Sequence, residues 1–259
     1  MLNFLLKLKS YFPTWLRIFL HKLYFNNFIT SIENILNKNK IIHRELIIED
    51  KDKIISNFTR SLIRNNLYEK YELEASRILF NKPEDLIDLG SSIGIVSLST
   101  AMKQKRKKIV LVEPVIEYLE LSKILFHQHS ENTHYFVNKA VDYSNKAIFL
   151  EKKDILNSEI NYLNGKNIDK TTLSEIVSEY NIEYFNLIID IEGKSFEPIF
   201  EDEKIMEKCK NLIIEEEFDT EYTEVVVMEK LSQIGFEVKY FEKSRNSNII
   251  GATNINLSS

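Results

Sequence analysis

The chain has 259 residues, a formal net charge of -5 and 28% charged residues, a balance that is typical of folded globular proteins. This composition excludes disordered, collagen-like and disulfide-scaffold classes. The single cysteine, Cys209, excludes an internal disulfide and cysteine-based zinc sites. The length predicts one large α/β domain with an N-terminal extension.

The positive charge is concentrated in the extension. Residues 1–44 hold seven Lys or Arg and one acid, which leaves a charge of about -11 for the rest and disfavours nucleic acid as a partner. Residues 1–25 combine four cations with bulky apolar residues, but no run approaches the roughly 18 apolar residues that span a bilayer. Two interpretations stay open: a peripheral contact with an anionic membrane, or a helical cap on the main domain.

Helical spacing of apolar residues extends over residues 30–80, so the domain boundary is expected between an amphipathic helical extension, 1–64, and a main domain, 65–259. From Asp85 onward, short apolar runs alternate with amphipathic stretches, which predicts βα units. The predicted strands are Asp85–Leu89, Lys108–Val112, Thr133–Val137, Phe185–Asp190 and Asn211–Glu215. The predicted helices between and after them are Ile93–Lys103, Ile116–His129, Thr172–Glu179, Pro198–Cys209 and Thr223–Ile234.

After Gly235 the pattern alternates around a turn, which predicts an antiparallel hairpin at the end of the sheet. The predicted fold class is therefore α/β, with a mostly parallel seven-stranded sheet and a terminal antiparallel hairpin. This layout resembles that of the class I, Rossmann-like methyltransferases, and on strand pattern alone the resemblance is an analogy.

The strongest local motif is the block from Asp88 through Gly90 to Gly94, at the end of a buried strand and the start of a helix. Ligands of doubly wound folds bind at such a crossing. The glycine spacing does not fit a dinucleotide fingerprint, and Ile95 stands where a phosphate loop requires Lys. An acid at this turn suits the cationic S-adenosylmethionine better than a phosphate.

Three further acids follow strands. Glu113 comes after the second strand, where it can accept the two hydroxyls of a ribose or provide a charge for the next helix. Asp190 and Glu192 follow the fourth strand, and as residues i and i+2 they are expected to point the same way. Such a pair could take a proton from a hydroxyl, or hold a divalent metal, and the two alternatives stay open.

These motifs, in this order, resemble the FkbM family of S-adenosylmethionine-dependent methyltransferases over about residues 65–220. The resemblance is carried by Tyr68-Glu69 followed by the blocks IDLGSSIGIVSLSTA, LVEPVIEYLELSK, NKAV, TTLSEIV, NLIIDIEGKSFEPI and NLIIEEEF. Departures from the family pattern are Ser91 and Ser92 in the glycine block and Ser195 in the later block, where the family has Glu. Glu197 is a candidate to compensate for Ser195.

The resemblance implies O-methylation of a hydroxyl on a sugar, glycan or glycolipid intermediate, or secondary metabolite. The single cysteine predicts a reducing, cytoplasmic location, and residues 1–25 make the inner face of the membrane one of the two open interpretations. The resemblance also implies catalytic Asp190 and Glu192, an acceptor contact at Glu215 or Glu216, and cofactor contacts at Asp88, Gly90, Ser92, Gly94, Glu113 and Ala140. The alternative is a catalytically silent methyltransferase-like module that scaffolds a membrane complex. A nicotinamide-dependent oxidoreductase is disfavoured by the glycine spacing.

Overall fold

The computed structural model divides into two units, residues 1–68 and 69–259. It describes residues 40–43, 46–50, 52, 54–105, 107–146, 148–152, 158–161, 166–191, 193–217, 222–243 and 247–257. Two predicted features, the basic segment 1–25 and the carboxylate Glu192, lie outside the described residues.

The first unit contains a hairpin of strands β1 (Lys40–His43) and β2 (Leu46–Glu49), followed by helix α1 (Asn57–Arg64). The prediction that residues 30–80 are helical is therefore wrong for the hairpin. Its side chains alternate between buried and exposed, a period of two that is typical of strands. The Ser56 side chain accepts a hydrogen bond from the Thr59 amide and so caps α1.

The second unit begins with the predicted βα alternation. Its first half contains α2 (Lys70–Leu79), β3 (Asp85–Leu89), α3 (Ile95–Lys103), β4 (Lys108–Val112), α4 (Ile116–His129) and β5 (Thr133–Val137). An insertion that the sequence did not reveal follows, consisting of the short strands β6 (Ala140–Val141), β7 (Phe149–Lys152), β8 (Ser158–Asn161), β9 (Lys166–Asn167) and β10 (Lys170–Thr171).

The alternation then resumes and ends in a hairpin. The remaining elements are α5 (Leu173–Glu179), β11 (Phe185–Ile189), α6 (Glu197–Glu201), α7 (Glu203–Met206), β12 (Cys209–Glu217), α8 (Glu224–Ile234), β13 (Phe236–Lys243), β14 (Ser247–Asn254) and a 3₁₀ turn at Ile255–Leu257.

The main sheet has seven strands in the order β13-β14-β12-β11-β3-β4-β5. Strands β12, β11, β3, β4 and β5 are parallel, and β14 runs antiparallel between β12 and β13. The predicted fold class, a class I Rossmann-like methyltransferase fold with a terminal antiparallel hairpin, is confirmed. The return strand β14, rather than β13, lies next to β12.

Two predicted helices differ from the structure by more than one residue at an end. Helix α3 begins at Ile95 instead of Ile93 because Gly94 adopts a left-handed conformation, with φ of 73°, directly before it. The single helix predicted over Pro198–Cys209 is wrong, because the chain breaks at Asp202 and Cys209 already belongs to β12. The Asp202 side chain accepts hydrogen bonds from the Tyr143 hydroxyl and the Ser174 amide, which fixes the break.

Helices cover both faces of the sheet. On one face, Ser97 of α3 bonds to Asp88 of β3, and Gly251 of β14 lies against Leu79 of α2. On the other face, α5 to α8 bury an apolar core against alternate residues of the strands. The central strands β3 and β11 are buried along their whole length. A ligand can therefore reach these strands only at their ends, where the polar residues lie.

Candidate functional site

The predicted site residues lie at the carboxyl edge of the sheet. Parallel strands end on the same side, so the residues that follow β3, β4, β11 and β12 come together there. The sequence placed its candidate carboxylates at these four strand ends, and the structure brings the described ones to one edge.

Gly90 forms the turn after β3 and leaves no room for a side chain. Its φ is 81°, and a Cβ at this position would lie 1.8 Å from the carbonyl oxygen of Asp190. The amides of Gly90 and Ser91 both donate to the carbonyl of Val112, at 2.9 and 3.0 Å. The turn is therefore held against the neighbouring strands and exposes backbone, which only glycine permits here.

The rest of the glycine loop is equally constrained. A Cβ at Gly94 would lie 2.7 Å from Leu111 and 2.9 Å from Phe126. Ser92 has a positive φ of 50°, and its carbonyl accepts a hydrogen bond from the Ser122 hydroxyl at 3.2 Å. The buried hydroxyl of Ser91 has no hydrogen-bond partner among the described residues. A buried polar atom of this kind is costly unless a ligand satisfies it.

Glu113 connects this loop to the start of α4. One carboxylate oxygen accepts from the Ser92 amide at 2.9 Å, and the other accepts from the Val115 amide at 2.7 Å. Burial raises the pKa of Glu113 to about 7 in spite of these bonds. Both roles considered for this residue agree with the geometry, because each oxygen of a carboxylate can accept a second hydrogen bond.

Asp88 points to α3. Its carboxylate accepts a hydrogen bond from the Ser97 hydroxyl at 2.5 Å, and burial raises its pKa to about 7. The nearby charge of Asp88 also contributes to the raised pKa of Glu113. Two buried acids with the same shift therefore lie beside the glycine loop.

Ala140 lies in β6, where its amide donates to the carbonyl of Asp169 at 2.9 Å and its side chain is buried. The residue two positions earlier was missed by the sequence analysis. The Asn138 amide group donates to the carbonyls of Glu113 and Pro114, both at 2.9 Å, and so holds the backbone on which Glu113 is mounted. Asn138 is the first residue of the NKAV block, but the block does not show which carbonyl groups its side chain binds.

Asp190 follows β11 and is half buried, and its amide donates to the carbonyl of Leu89 at 2.9 Å. The Ser195 hydroxyl donates to the carbonyl of Ile191 at 2.9 Å, so this loop is closed by a hydrogen bond between its own residues. One carboxylate oxygen of Glu197 lies 3.1 Å from the Lys194 ammonium group, and the other is buried without a hydrogen-bond partner among the described residues. The loop after β11 is thus stabilised by its own residues.

Lys194 also connects this loop to the insertion. Its ammonium group lies 2.6 Å from the buried carboxylate of Asp142, which also accepts from the amide and hydroxyl of Ser144. Burial acts to raise the pKa of Asp142, but the bonds from Lys194 and Ser144 outweigh it, so the pKa lies below its ordinary value. Asp142 and Lys194 were missed in the sequence, since an isolated acid and lysine carry no pattern.

Glu215 and Glu216 point to opposite faces of β12, as successive strand residues do. Glu215 accepts a hydrogen bond from the Ser247 hydroxyl at 2.7 Å and is hydrogen-bonded to Glu72 of α2. Burial and the neighbouring Glu215 raise the pKa of Glu72 well above its ordinary value. Glu216 is buried beside Asn248. Among the described residues no group of three or more His, Cys, Asp or Glu could hold a metal ion.

No protein-family model and no characterised protein sequence matches the chain. Solved structures with a similar fold include a magnesium protoporphyrin IX methyltransferase from Synechocystis PCC 6803 with bound SAM (12% identity, 77% of this chain and 85% of that chain, TM-score 0.43). They also include a ribosomal protein L11 methylase from Lactobacillus delbrueckii subsp. bulgaricus (9% identity, 73% of this chain and 80% of that chain, TM-score 0.43). A third is TrmK from M. capricolum in complex with S-adenosyl-homocysteine (11% identity, 71% of this chain and 67% of that chain, TM-score 0.43).

Proposed function

We propose that the protein is an S-adenosylmethionine-dependent O-methyltransferase that acts on a hydroxyl of a sugar, of a glycan or glycolipid intermediate, or of a secondary metabolite. The observation that carries the proposal is the Gly90 turn, which packs on the carbonyl of Asp190 and exposes backbone between two strand ends that bear acids. The unpartnered hydroxyl of Ser91 beside it is the kind of buried group that a ligand satisfies.

The residues of the glycine loop fit the cofactor. Bound S-adenosylmethionine would supply an electrophilic methyl group on a sulfonium centre. Asp88 and Glu113 make the surroundings negative when ionised, which favours a cationic ligand over a phosphate. Glu113 retains lone pairs for hydroxyl donors, and the backbone of Gly90 permits close approach.

The acceptor would lie over the neighbouring strand ends. Asp190 can accept the proton of the attacking hydroxyl as the new bond forms, and Glu192 is the second candidate for this role. The resemblance to the FkbM family supports a sugar or related hydroxyl as the acceptor. The alternative, a silent module that scaffolds a membrane complex, predicts that this set of residues binds no cofactor or transfers no methyl group.

Cofactor binding is tested with two matched variants, Gly90→Ala and Gly193→Ala. Both glycines have a positive φ, but only at Gly90 does a new Cβ collide with backbone, whereas at Gly193 the space around it is open. We expect calorimetry to show S-adenosylmethionine and S-adenosylhomocysteine binding to the wild type and to Gly193→Ala, no binding to Gly90→Ala, and no binding of NAD to any of them. Equal affinity in both variants would overturn the site.

A further inference from the structure

A buried ion pair connects the loop after β11 to the insertion. Lys194, four residues beyond Asp190, places its ammonium group 2.6 Å from the carboxylate of Asp142. The Asp142 side chain is completely buried, and that of Lys194 is 15% exposed. Taking two charges out of water is costly, so a buried ion pair is weak evidence for stability and is better known as a device that fixes one arrangement of the chain.

Asp142 is itself held rigidly within the insertion. The carboxylate oxygen that does not contact Lys194 accepts hydrogen bonds from the Ser144 amide at 2.8 Å and from the Ser144 hydroxyl at 2.6 Å. The Asp142 amide donates to the carbonyl of Thr171 at 3.1 Å, at the end of the parallel pair β6 and β10. The carboxylate therefore has a fixed place between the first and last strands of the insertion.

The next residue of the insertion contacts the same stretch of chain farther along. The Tyr143 hydroxyl donates to the carboxylate of Asp202 at 2.6 Å. Asp202 directly follows helix α6, and Glu197, the first residue of that helix, lies 3.1 Å from Lys194. Two adjacent residues of the insertion thus hold the chain before and after α6.

The segment that carries Asp142 also contacts the side proposed for the cofactor. Asn138, four residues earlier, donates from its side-chain amide to the carbonyls of Glu113 and Pro114, both at 2.9 Å. Residues 138–142 therefore run from the backbone at Glu113 to the ion pair with Lys194. The pair is thus placed to fix the loop after β11 relative to the residues proposed to bind the cofactor.

We propose that Lys194 is a positioning residue, which together with Asp142 fixes the loop that carries Asp190 and Glu192 for methyl transfer. The inference rests on the proposed function for the reaction itself. Methyl transfer needs the attacking oxygen, the methyl group and the sulfur in one line, and a misplacement of about 1 Å can lower the rate about a hundredfold. In this role neither side chain of the ion pair takes the proton or touches the methyl group.

The alternative is an ion pair that only stabilises the fold. Loss of a positioning contact loosens residues 190–197 and leaves the central strands β3 and β4 protected, whereas loss of a stabilising contact lowers the protection of all elements together. Lys170 offers a matched control, because its ammonium group lies 3.6 Å from the same carboxylate of Asp142. Its hydrogen bonds go to the carbonyls of Ser144 and Lys146, within the insertion.

The test uses the full chain, with and without S-adenosylhomocysteine, and amide hydrogen exchange measured by mass spectrometry. The variants are Lys194→Met, which removes the charge, Lys194→Arg, which keeps it, and the control Lys170→Met. We expect exchange in residues 190–197 to be about tenfold faster in Lys194→Met, near the wild-type rate in the other two variants, and unchanged in β3 and β4 throughout. With the methyl glycosides of glucose, galactose and mannose as acceptors, kcat of Lys194→Met should fall by about tenfold to a hundredfold, while KM for S-adenosylmethionine stays within about twofold.

Three results would overturn the positioning role: exchange that rises equally in residues 190–197, β3 and β4, wild-type exchange in Lys194→Met, or an unchanged kcat in that variant. If Lys194→Met folds poorly because Asp142 has lost its partner, the double variant Asp142→Asn with Lys194→Met removes the uncompensated charge and is measured in the same way. The exchange comparison decides the role of the pair even where the wild type binds no S-adenosylhomocysteine or methylates no glycoside. Either of those two results counts against the proposed function instead.

Discussion

Two carboxylates beside the glycine loop, Asp88 and Glu113, are buried. Asp88 accepts a hydrogen bond from a serine hydroxyl, and Glu113 accepts hydrogen bonds from two backbone amides. Burial outweighs these bonds and raises the pKa of both groups to about 7. A small change in pH near neutrality therefore alters the negative charge that these two carboxylates present to a cationic ligand. The same shift makes the stability of the fold depend on pH.

Replacing Asp88 with Asn should remove much of this dependence. The pKa of Asp88 in the folded protein, about 7, lies above its ordinary value of 3.8. Its stabilising contribution is therefore complete below about pH 4 and is lost as the pH rises through about 7. Between about pH 5 and about pH 8, urea titration of Asp88→Asn should show a fall in the free energy of unfolding that is smaller than in the wild type by about 2 kcal/mol. Identical slopes in the two proteins would show that Asp88 is ionised throughout.

Replacing Asp190 with Asn separates proton transfer from binding. The exchange keeps size and hydrogen bonding but removes the base, so we expect methyl transfer to fall by about 10²–10⁴-fold. Affinity for S-adenosylmethionine should stay near that of the wild type. The product mass, higher by one methyl group, measures the transfer on a panel of sugar and lipid-linked acceptors. Glu192→Gln is tested in parallel, and reversal of a loss by added Mg²⁺ after chelation would favour the metal alternative.

At the scale of elements, the sequence predicted the first βα units best, whether their strands are fully buried, as in β3, or only partly buried, as in β5. The bounds of β3, β4 and β5, and of helix α4, agree with the predicted ones, since a short apolar run between polar turns has few alternatives. The insertion β6 to β10 was missed because its strands are short and partly polar. The false helix over Pro198–Cys209 has a different cause, because Asp202 breaks it through partners far away in sequence, Tyr143 and Ser174.

A chain of polar side chains crosses three strands of the sheet. Asn211 of β12 donates to the side-chain oxygen of Asn186 on β11 at 2.8 Å and accepts from the Thr253 hydroxyl on β14 at 2.9 Å. Such a chain is satisfied only in one register of the strands. It therefore helps to fix how β14 is inserted beside β12.

Replacing Asn211, the middle residue of this hydrogen-bonded series, should lower the free energy of unfolding more than replacing Thr253 at its end. Asn211→Ala leaves the side-chain oxygen of Asn186 and the Thr253 hydroxyl without their partner, so we expect a loss of about 2–4 kcal/mol in the free energy of unfolding. Thr253→Val removes only the outer hydroxyl and keeps the shape, so it should cost less. Urea unfolding of both variants and of the double variant measures the coupling. If the losses add without coupling, the chain does not act as a unit.

At the scale of the molecule, the sequence could place the carboxylates at one edge of the sheet but could not orient them. The carboxyl ends of parallel strands lie at the same edge of a sheet, which is why Asp88, Glu113 and Asp190 were assigned to one site. The separation of Glu215 from Glu216 depends on Ser247, Asn248 and Glu72, which lie elsewhere in the chain. Partners that are this far apart in the chain have no characteristic spacing, so a single sequence does not reveal them.

The uneven charge is a property of the whole chain that the described residues do not explain. In the described part, no helix is long and apolar enough to cross a membrane. Residues 1–25 carry four cations and no acid, whereas the chain beyond residue 44 is acidic and would be repelled by an anionic surface. We propose that this segment alone attaches the protein to anionic membranes, where a glycolipid acceptor would be found.

The attachment is tested by sedimentation with vesicles of phosphatidylglycerol and phosphatidylcholine. Each cation near such a surface contributes about 1 kcal/mol, so deleting residues 1–25 should lower binding by roughly a thousandfold at low salt. A variant in which Lys7, Lys9, Arg17 and Lys22 are replaced by Gln keeps the apolar residues and should lose most of the same affinity. Binding of S-adenosylhomocysteine should be unchanged in both. If the full chain ignores vesicles at low salt, where screening is weakest, or if the deletion unfolds the protein, the segment is a structural cap.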